Sequence, residues 1–159
     1  MAEPPAPVES VSLGVLIADV SRLLRRDFDR RVRHLGLSQA QWRVLARLSR
    51  HEGINQATLA DLLDIQPITL TRLLDRMQAA GWLERRPDSR DRRAVCLHLM
   101  PKAQPLLEEL QRIGEVTRGV ALDGIDAAER RRLTVALLRM KLNLAAAVVP
   151  ADEDRDDAA

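Results

Sequence analysis

Ten consecutive residues, Glu84-Arg85-Arg86-Pro87-Asp88-Ser89-Arg90-Asp91-Arg92-Arg93, hold five arginines against three acids. Guanidinium groups concentrated in one loop suit a polyanion. They match phosphate geometry bidentately, and a narrow A·T-rich minor groove draws them in through its deepened negative potential. A second basic set lies just upstream. Across 67–80, Leu70, Leu73, Leu74 and Met77 recur at helical steps and form one stripe at about 100° per residue. Thr69, Arg72 and Arg76 then point the other way, flanked by Ile68 and Thr71. Arginine can grip guanine bidentately, threonine hydroxyls can bond base edges or phosphates, and isoleucine can meet a thymine methyl. A merely solvated polar face would look the same for this helix alone. The arginine-loaded loop beside it turns the reading toward duplex DNA.

Catalytic constellations are not found. His34, His51 and His98 fall in three different elements, no metal-ligand spacing occurs, and no glycine-rich phosphate loop is present. Asp126 and Glu129 have the spacing of a helix capping pair, which accounts for those carboxylates. The expectation is therefore no enzyme, no metal and no cofactor. Cys96 is the single cysteine, so an internal disulfide is excluded and a reducing compartment suits the chain. Between Val95 and Leu97 it reads as a small hydrophobe in a strand. The longest apolar run, 144–150, falls far short of the roughly 20 residues of a membrane span. No basic segment followed by an apolar stretch opens the chain, so no signal peptide is read. The expected location is the cytoplasm.

These residues need a scaffold, and the punctuation supplies one. At 159 residues the length suits one domain, and with only three aromatic side chains and many Leu, Ala and Arg the composition favours helix over sheet. Apolar positions from Leu13 to Leu35 predict a long helix ended near Gly36. Ser38 and Gln41 have capping-box spacing, with Leu37 and Trp42 placed as a hydrophobic staple, and predict a second helix to about His51. A third follows Asn55, burying Leu59, Leu62 and Leu63. Pro67 is placed as the first residue of a fourth, ended by Gly81. The period then changes: Trp82-Leu83 and 94–99 predict two short strands, with Val95, Leu97 and Leu99 inward, joined by the charged loop. Pro101 opens a fifth helix through Leu106/Leu107, Leu110, Ile113 and Val116. Asp126 opens a sixth, with Leu133, Leu137, Met140, Leu144 and Val148 on one stripe.

The fold class is thus mainly α with a small β-hairpin, in the order four helices, hairpin, two helices. Two short helices at a tight turn followed by a hairpin describe a winged helix-turn-helix, whose second helix enters the major groove while the hairpin tip reaches an adjacent backbone or minor groove. The expected organisation is a tail at 1–9, a helical region from 10–36 and 101–149, a DNA-binding lobe at 37–100, and an acidic tail at 150–159. That last tail carries a net −4 from Asp152 onward; set apart from the total of +2, it leaves +6 on the rest of the chain.

The stretch IQPITLTRLLDRMQAAGWL at 65–83, followed by RRPDSRDRRAVCLHL, resembles the multiple antibiotic resistance regulator (MarR) family, and looks closest to its SlyA-like branch. The resemblance covers most of 10–149. It departs after the wing, where Leu99-Met100-Pro101-Lys102-Ala103 replaces the family's usual Leu-Thr-x-x-Gly. It implies a homodimer built from the first and last two helices, although those stripes would also suit one monomeric core. It also implies a pseudo-palindromic operator, contacts from Ile68, Thr69, Thr71, Arg72 and Arg76, and wing contacts from Arg86, Asp91, Arg92 and Arg93. Arg92 would enter the minor groove, and Asp91 would orient a neighbouring guanidinium. The family's usual control implies a small aromatic carboxylate or phenolic effector, held by Arg22, Arg25 and Trp42: guanidinium for carboxylate, indole face for ring. Ala40 and Ala46 stand where relatives can carry a hydroxyl or imidazole. The resulting expectation is a ligand-released repressor. A ligand-insensitive regulator and a winged helix that binds protein instead of DNA are the alternatives.

Overall fold

The computed structural model describes residues 11–87 and 95–147. The two expected tails and the wing residues Asp91, Arg92 and Arg93 lie outside them. The elements are α1 (Leu13–Val32), α2 (Gln39–Leu48), α3 (Gln56–Leu63), α4 (Pro67–Ala79), β1 (Leu83–Pro87), β2 (Val95–Leu99), α5 (Gln104–Ala121) and α6 (Ala127–Ala147), in the order read from the sequence. The chain divides into two units, Met1–Gly119 and Val120–Ala159.

In the first unit, local chemistry sets nearly every boundary. α1 ends in a 3-10 turn, Arg33–Leu35, closed by Gly36 in the left-handed region at φ 65°. The Ser38–Gln41 capping box is formed in both directions, at 3.3 and 2.8 Å. The Asn55 side chain accepts from the Thr58 amide at 2.8 Å and starts α3. Asp64, left-handed at φ 53°, ends α3, and an Arg43 guanidinium from α2 donates to the Leu63 carbonyl at 2.6 Å, satisfying an orphan acceptor of that helix end. Pro67 occupies the first turn of α4. The departure after the wing is accommodated by a 3-10 turn, Pro101–Ala103, held by the Ala103 amide on the Met100 carbonyl at 2.8 Å before α5 begins.

Val44, Leu45 and Leu48 of α2, Leu59 and Leu63 of α3, and Leu70, Leu74 and Met77 of α4 pack with Leu83 and Leu97 into a core fully removed from solvent. Three expectations are corrected. Leu62 is 37% exposed, because the buried stripe of α3 runs through Leu59, Ala60 and Leu63 instead. On α5 the stripe turns through Leu110, Ile113 and Thr117, leaving Val116 exposed. In β2, Val95 is exposed while Cys96 and Leu97 are both buried. The reason is a second partner for that strand. β1 pairs with one edge of β2 in antiparallel register from Leu83 opposite Leu99 to Pro87 opposite Val95. On the other edge, the Gly53 amide donates to the Leu97 carbonyl at 3.0 Å, the Leu97 amide to Ile54 at 2.9 Å, and Asn55 bridges to Cys96. The two-residue step 53–54 is too short to show strand alternation, so this pairing is not legible in the sequence.

The second unit is built around α6. Its capping box is formed, with the Glu129 amide on Asp126 Oδ1 at 2.8 Å and the Asp126 amide on Glu129 Oε2 at 3.1 Å. No residue of α6 is buried.

Candidate nucleic-acid interface

α4 is anchored by its apolar stripe, which fixes the direction of everything else on it. Ile68, 65% exposed, and Thr69, Arg72 and Arg76 stand outward. Among the described residues neither Arg72 nor Arg76 has a hydrogen-bond or ion-pair partner, so both guanidinium groups are available to an external acceptor. Thr71 differs. It is half-buried, and its hydroxyl donates to the Pro67 carbonyl at 3.0 Å while accepting from the Gln56 amide at 2.6 Å. That hydroxyl joins α3 to α4 and has no proton left to give to a base.

The hairpin sorts its arginines by face. Arg86 is exposed at the outer end of β1 and pairs with Glu84 of the same strand, its Nε donating to Glu84 Oε1 at 2.6 Å. Arg85 turns the other way, onto α4, with Nη2 2.7 Å from Asp75 Oδ1 and Nη1 donating to Gln78 Oε1 at 2.8 Å. The loop 88–94 joining the strands lies outside the described residues.

A second site lies behind the DNA-facing elements. Leu24, Arg25 and Phe28 of α1, Trp42 and Ala46 of α2, and Leu110 and Gly114 of α5 enclose part of a cavity of about 640 Å³. Trp42 is fixed in its wall: the indole N–H donates to Asp29 Oδ1 at 2.7 Å, and the ring lies 4.5 Å from that of Phe28 at 51°. Arg25, Arg50 and Arg118 also line the cavity, and among the described residues none of them has a carboxylate partner. Arg22 does not line it; that side chain pairs with Asp19 at 2.8 Å along the surface of α1. Sequence reading missed Arg50 and Arg118. The available signal was on α5, where Gly114 and Thr117 interrupt an otherwise apolar stripe.

Just below, Asp27 ties α1 to α5. It accepts from Arg31 at 2.6 Å, from Arg30 at 2.5 Å, and from the buried hydroxyl of Thr117 at 3.0 Å. Those bonds, the one from Arg31 foremost, hold its carboxyl at about 2, below the ordinary 3.8. On α5, Glu109 is lowered from 4.5 to about 2, chiefly by Arg112.

Among the described residues no helix is long and apolar enough to cross a membrane, and no three His, Cys, Asp or Glu side chains are gathered as metal ligands.

A model of the MarR family matches residues 37–95. Among solved structures, the transcriptional regulator PA3341 is 40% identical, with a TM-score of 0.77 over 84% of this chain and 98% of the other. A MarR-family transcriptional regulator from Listeria monocytogenes, complexed with a 26mer DNA, is 27% identical, with a TM-score of 0.75 over 85% of this chain and 90% of its own. The transcriptional regulator SlyA shares the fold at 23% identity and a TM-score of 0.72, over 84% and 94%.

Proposed function

Because this chain belongs to the MarR family of transcriptional regulators, we propose that it is a homodimeric, sequence-specific DNA-binding repressor, acting in the cytoplasm and released by a small aromatic carboxylate or phenol. The observation that carries the reading is the outward face of α4. Ile68, Thr69, Arg72 and Arg76 project from a helix whose other face is locked into the core, and among the described residues neither arginine has a carboxylate partner. Such a face is suited to the major groove. Arg86 adds an exposed arginine on the hairpin, and the sequence beyond the described residues offers Arg92 and Arg93 as further cations, with Asp91 beside them to orient a guanidinium. The Listeria relative bound to DNA supports the same use of the fold.

Exposed apolar side chains support the dimer. Leu13, Val15, Leu16, Val20 and Leu23 line α1, and Leu133, Leu137, Leu138, Leu142 and Leu144 are distributed around α6. Apolar surface of that extent on a single chain marks an interaction surface. The cavity beside Trp42 supports the effector: three cationic side chains and two aromatic rings match an aromatic acid.

Footprinting on the DNA upstream of the protein's own gene tests the central claim. The expected result is a protected pseudo-palindrome with an affinity that falls steeply with salt. Binding equally weak on every duplex would overturn it. A salicylate titration tests the effector. Quenching of tryptophan emission together with release of DNA is expected, and both should be lost in Arg25→Ala.

A further inference from the structure

In a strand successive side chains alternate faces, so Leu83 and Arg85 share one face of β1, while Glu84 and Arg86 share the other. Leu83 is buried in the core, and so is Leu97, the cross-strand partner of Arg85. Arg85 therefore leaves the hairpin on its core-facing side. An arginine placed there has to find acceptors in the element packed against it, and it finds them on α4. Asp75 and Gln78 lie three residues apart, on one stripe of that helix. The two terminal nitrogens of a single guanidinium span both. Asp75 is also one turn from Arg72 and adjacent to Arg76, yet its carboxylate is turned to β1.

We propose that Arg85 is a positioning residue for DNA recognition: by clamping Asp75 and Gln78 it fixes the angle between α4 and the hairpin, and keeps the Asp75 carboxylate away from Arg72 and Arg76. This rests on the DNA-binding reading above. Two grooves can be read together only if the helix and the hairpin tip hold a fixed spacing. Charge-assisted bonds from a planar fork give that geometric specificity. Asp75 is 59% exposed, and ion pairs of that exposure add little to folding stability, so the consequence of the clamp lies in orientation. Simple electrostatics would give Asp75 the opposite role, as a negative charge repelling DNA from the recognition helix.

The test measures operator affinity, its salt slope and thermal unfolding for Arg85→Ala, Asp75→Ala and the double variant. Each single variant should weaken operator binding by about tenfold or more, the scale of one charge-assisted hydrogen bond. The salt slope should stay that of the parent, because no phosphate contact is lost. The double variant should be no worse than either single one. Arg85→Lys keeps the charge but cannot span both acceptors, and should fall between. It serves as the readout if Arg85→Ala does not fold. Tighter binding by Asp75→Ala would overturn the proposal, as would additive losses in the double variant. A shallower salt slope for Arg85→Ala, with equal weakening on all sequences, would make Arg85 a phosphate contact instead. Unchanged affinity in Arg85→Ala would also end it. If the parent chain shows no operator preference, the DNA-binding reading itself fails, an outcome distinct from all of these.

Discussion

Two arginines on one helix face divide by depth along it. Arg72 sits in the half of α4 nearer its N-terminus, the end that meets base edges in helix-turn-helix complexes, and Arg76 lies one turn further on. Arg72→Ala is expected to cost about 1–3 kcal/mol on the operator and to relax preference at one base pair per half-site. Arg76→Ala should weaken all sequences alike and lower the salt slope by about one phosphate. Competition titrations on operator and scrambled duplexes at several salt concentrations separate the two. Thr71 is expected to behave unlike either. With its hydroxyl committed to Pro67 and Gln56, Thr71→Val should lose about 1 kcal/mol of folding stability and leave base preference intact. A changed preference at one position would make it a reader after all.

Elements in the first unit are held to one another by polar links as well as by the core. Asp29 of α1 accepts from Gln39 at 2.6 Å and Trp42 at 2.7 Å on α2, and Asp27 accepts from Thr117 on α5 at 3.0 Å. Asp27 gives this arrangement a pH signature. Its folded pKa is depressed, so its contribution is present above the ordinary 3.8 and is lost as pH falls toward about 2. Asp27→Asn should therefore melt below the parent at neutral pH, and the gap should close across that acid window. Thermal melts at a series of pH values check this. A gap that persists at pH 2 would mean the variant disturbs packing, not the carboxylate. In the hairpin, Arg92→Ala should weaken binding most on operators with A·T-rich flanks and least where those flanks are G·C. Paired-operator titrations decide between a groove reader and a phosphate clamp.

For the whole molecule, the deciding quantity is the apolar surface that one chain leaves uncovered. α6 buries none of its residues: Leu133, Leu137 and Leu144 stand exposed on one side of it, and Val135, Leu138 and Leu142 stand exposed on the other. Exposed apolar side chains in that number mark a surface that another element covers. Sedimentation should accordingly find a dimer at micromolar concentration, with its two α4 helices about one DNA turn, roughly 34 Å, apart on the operator. Truncation before Asp126 should abolish both dimerisation and specific binding. A stable full-length monomer would overturn the assembly.

Element order and most helix boundaries were legible in the sequence because their causes are local. Ser38 with Gln41, Asn55, Pro67 and Asp126 with Glu129 each satisfy helix ends with atoms a few residues away. The apolar stripe of α4 likewise needs only a period to be seen, and it directs Arg72 and Arg76 outward whatever surrounds them. The arginines of the hairpin were not separable in this way. In a strand of five residues, which face meets the core depends on register with β2 and on the second edge supplied by 53–55, both set by partners distant in sequence. Only the tertiary structure turned Arg85 to Asp75 while Arg86 stayed outside, and committed the Thr71 hydroxyl to Gln56. It also gathered Arg25, Arg50 and Arg118 from three helices around one cavity. Composition registers five similar arginines in ten residues. What each can do depends on whether packing has already given its guanidinium a partner.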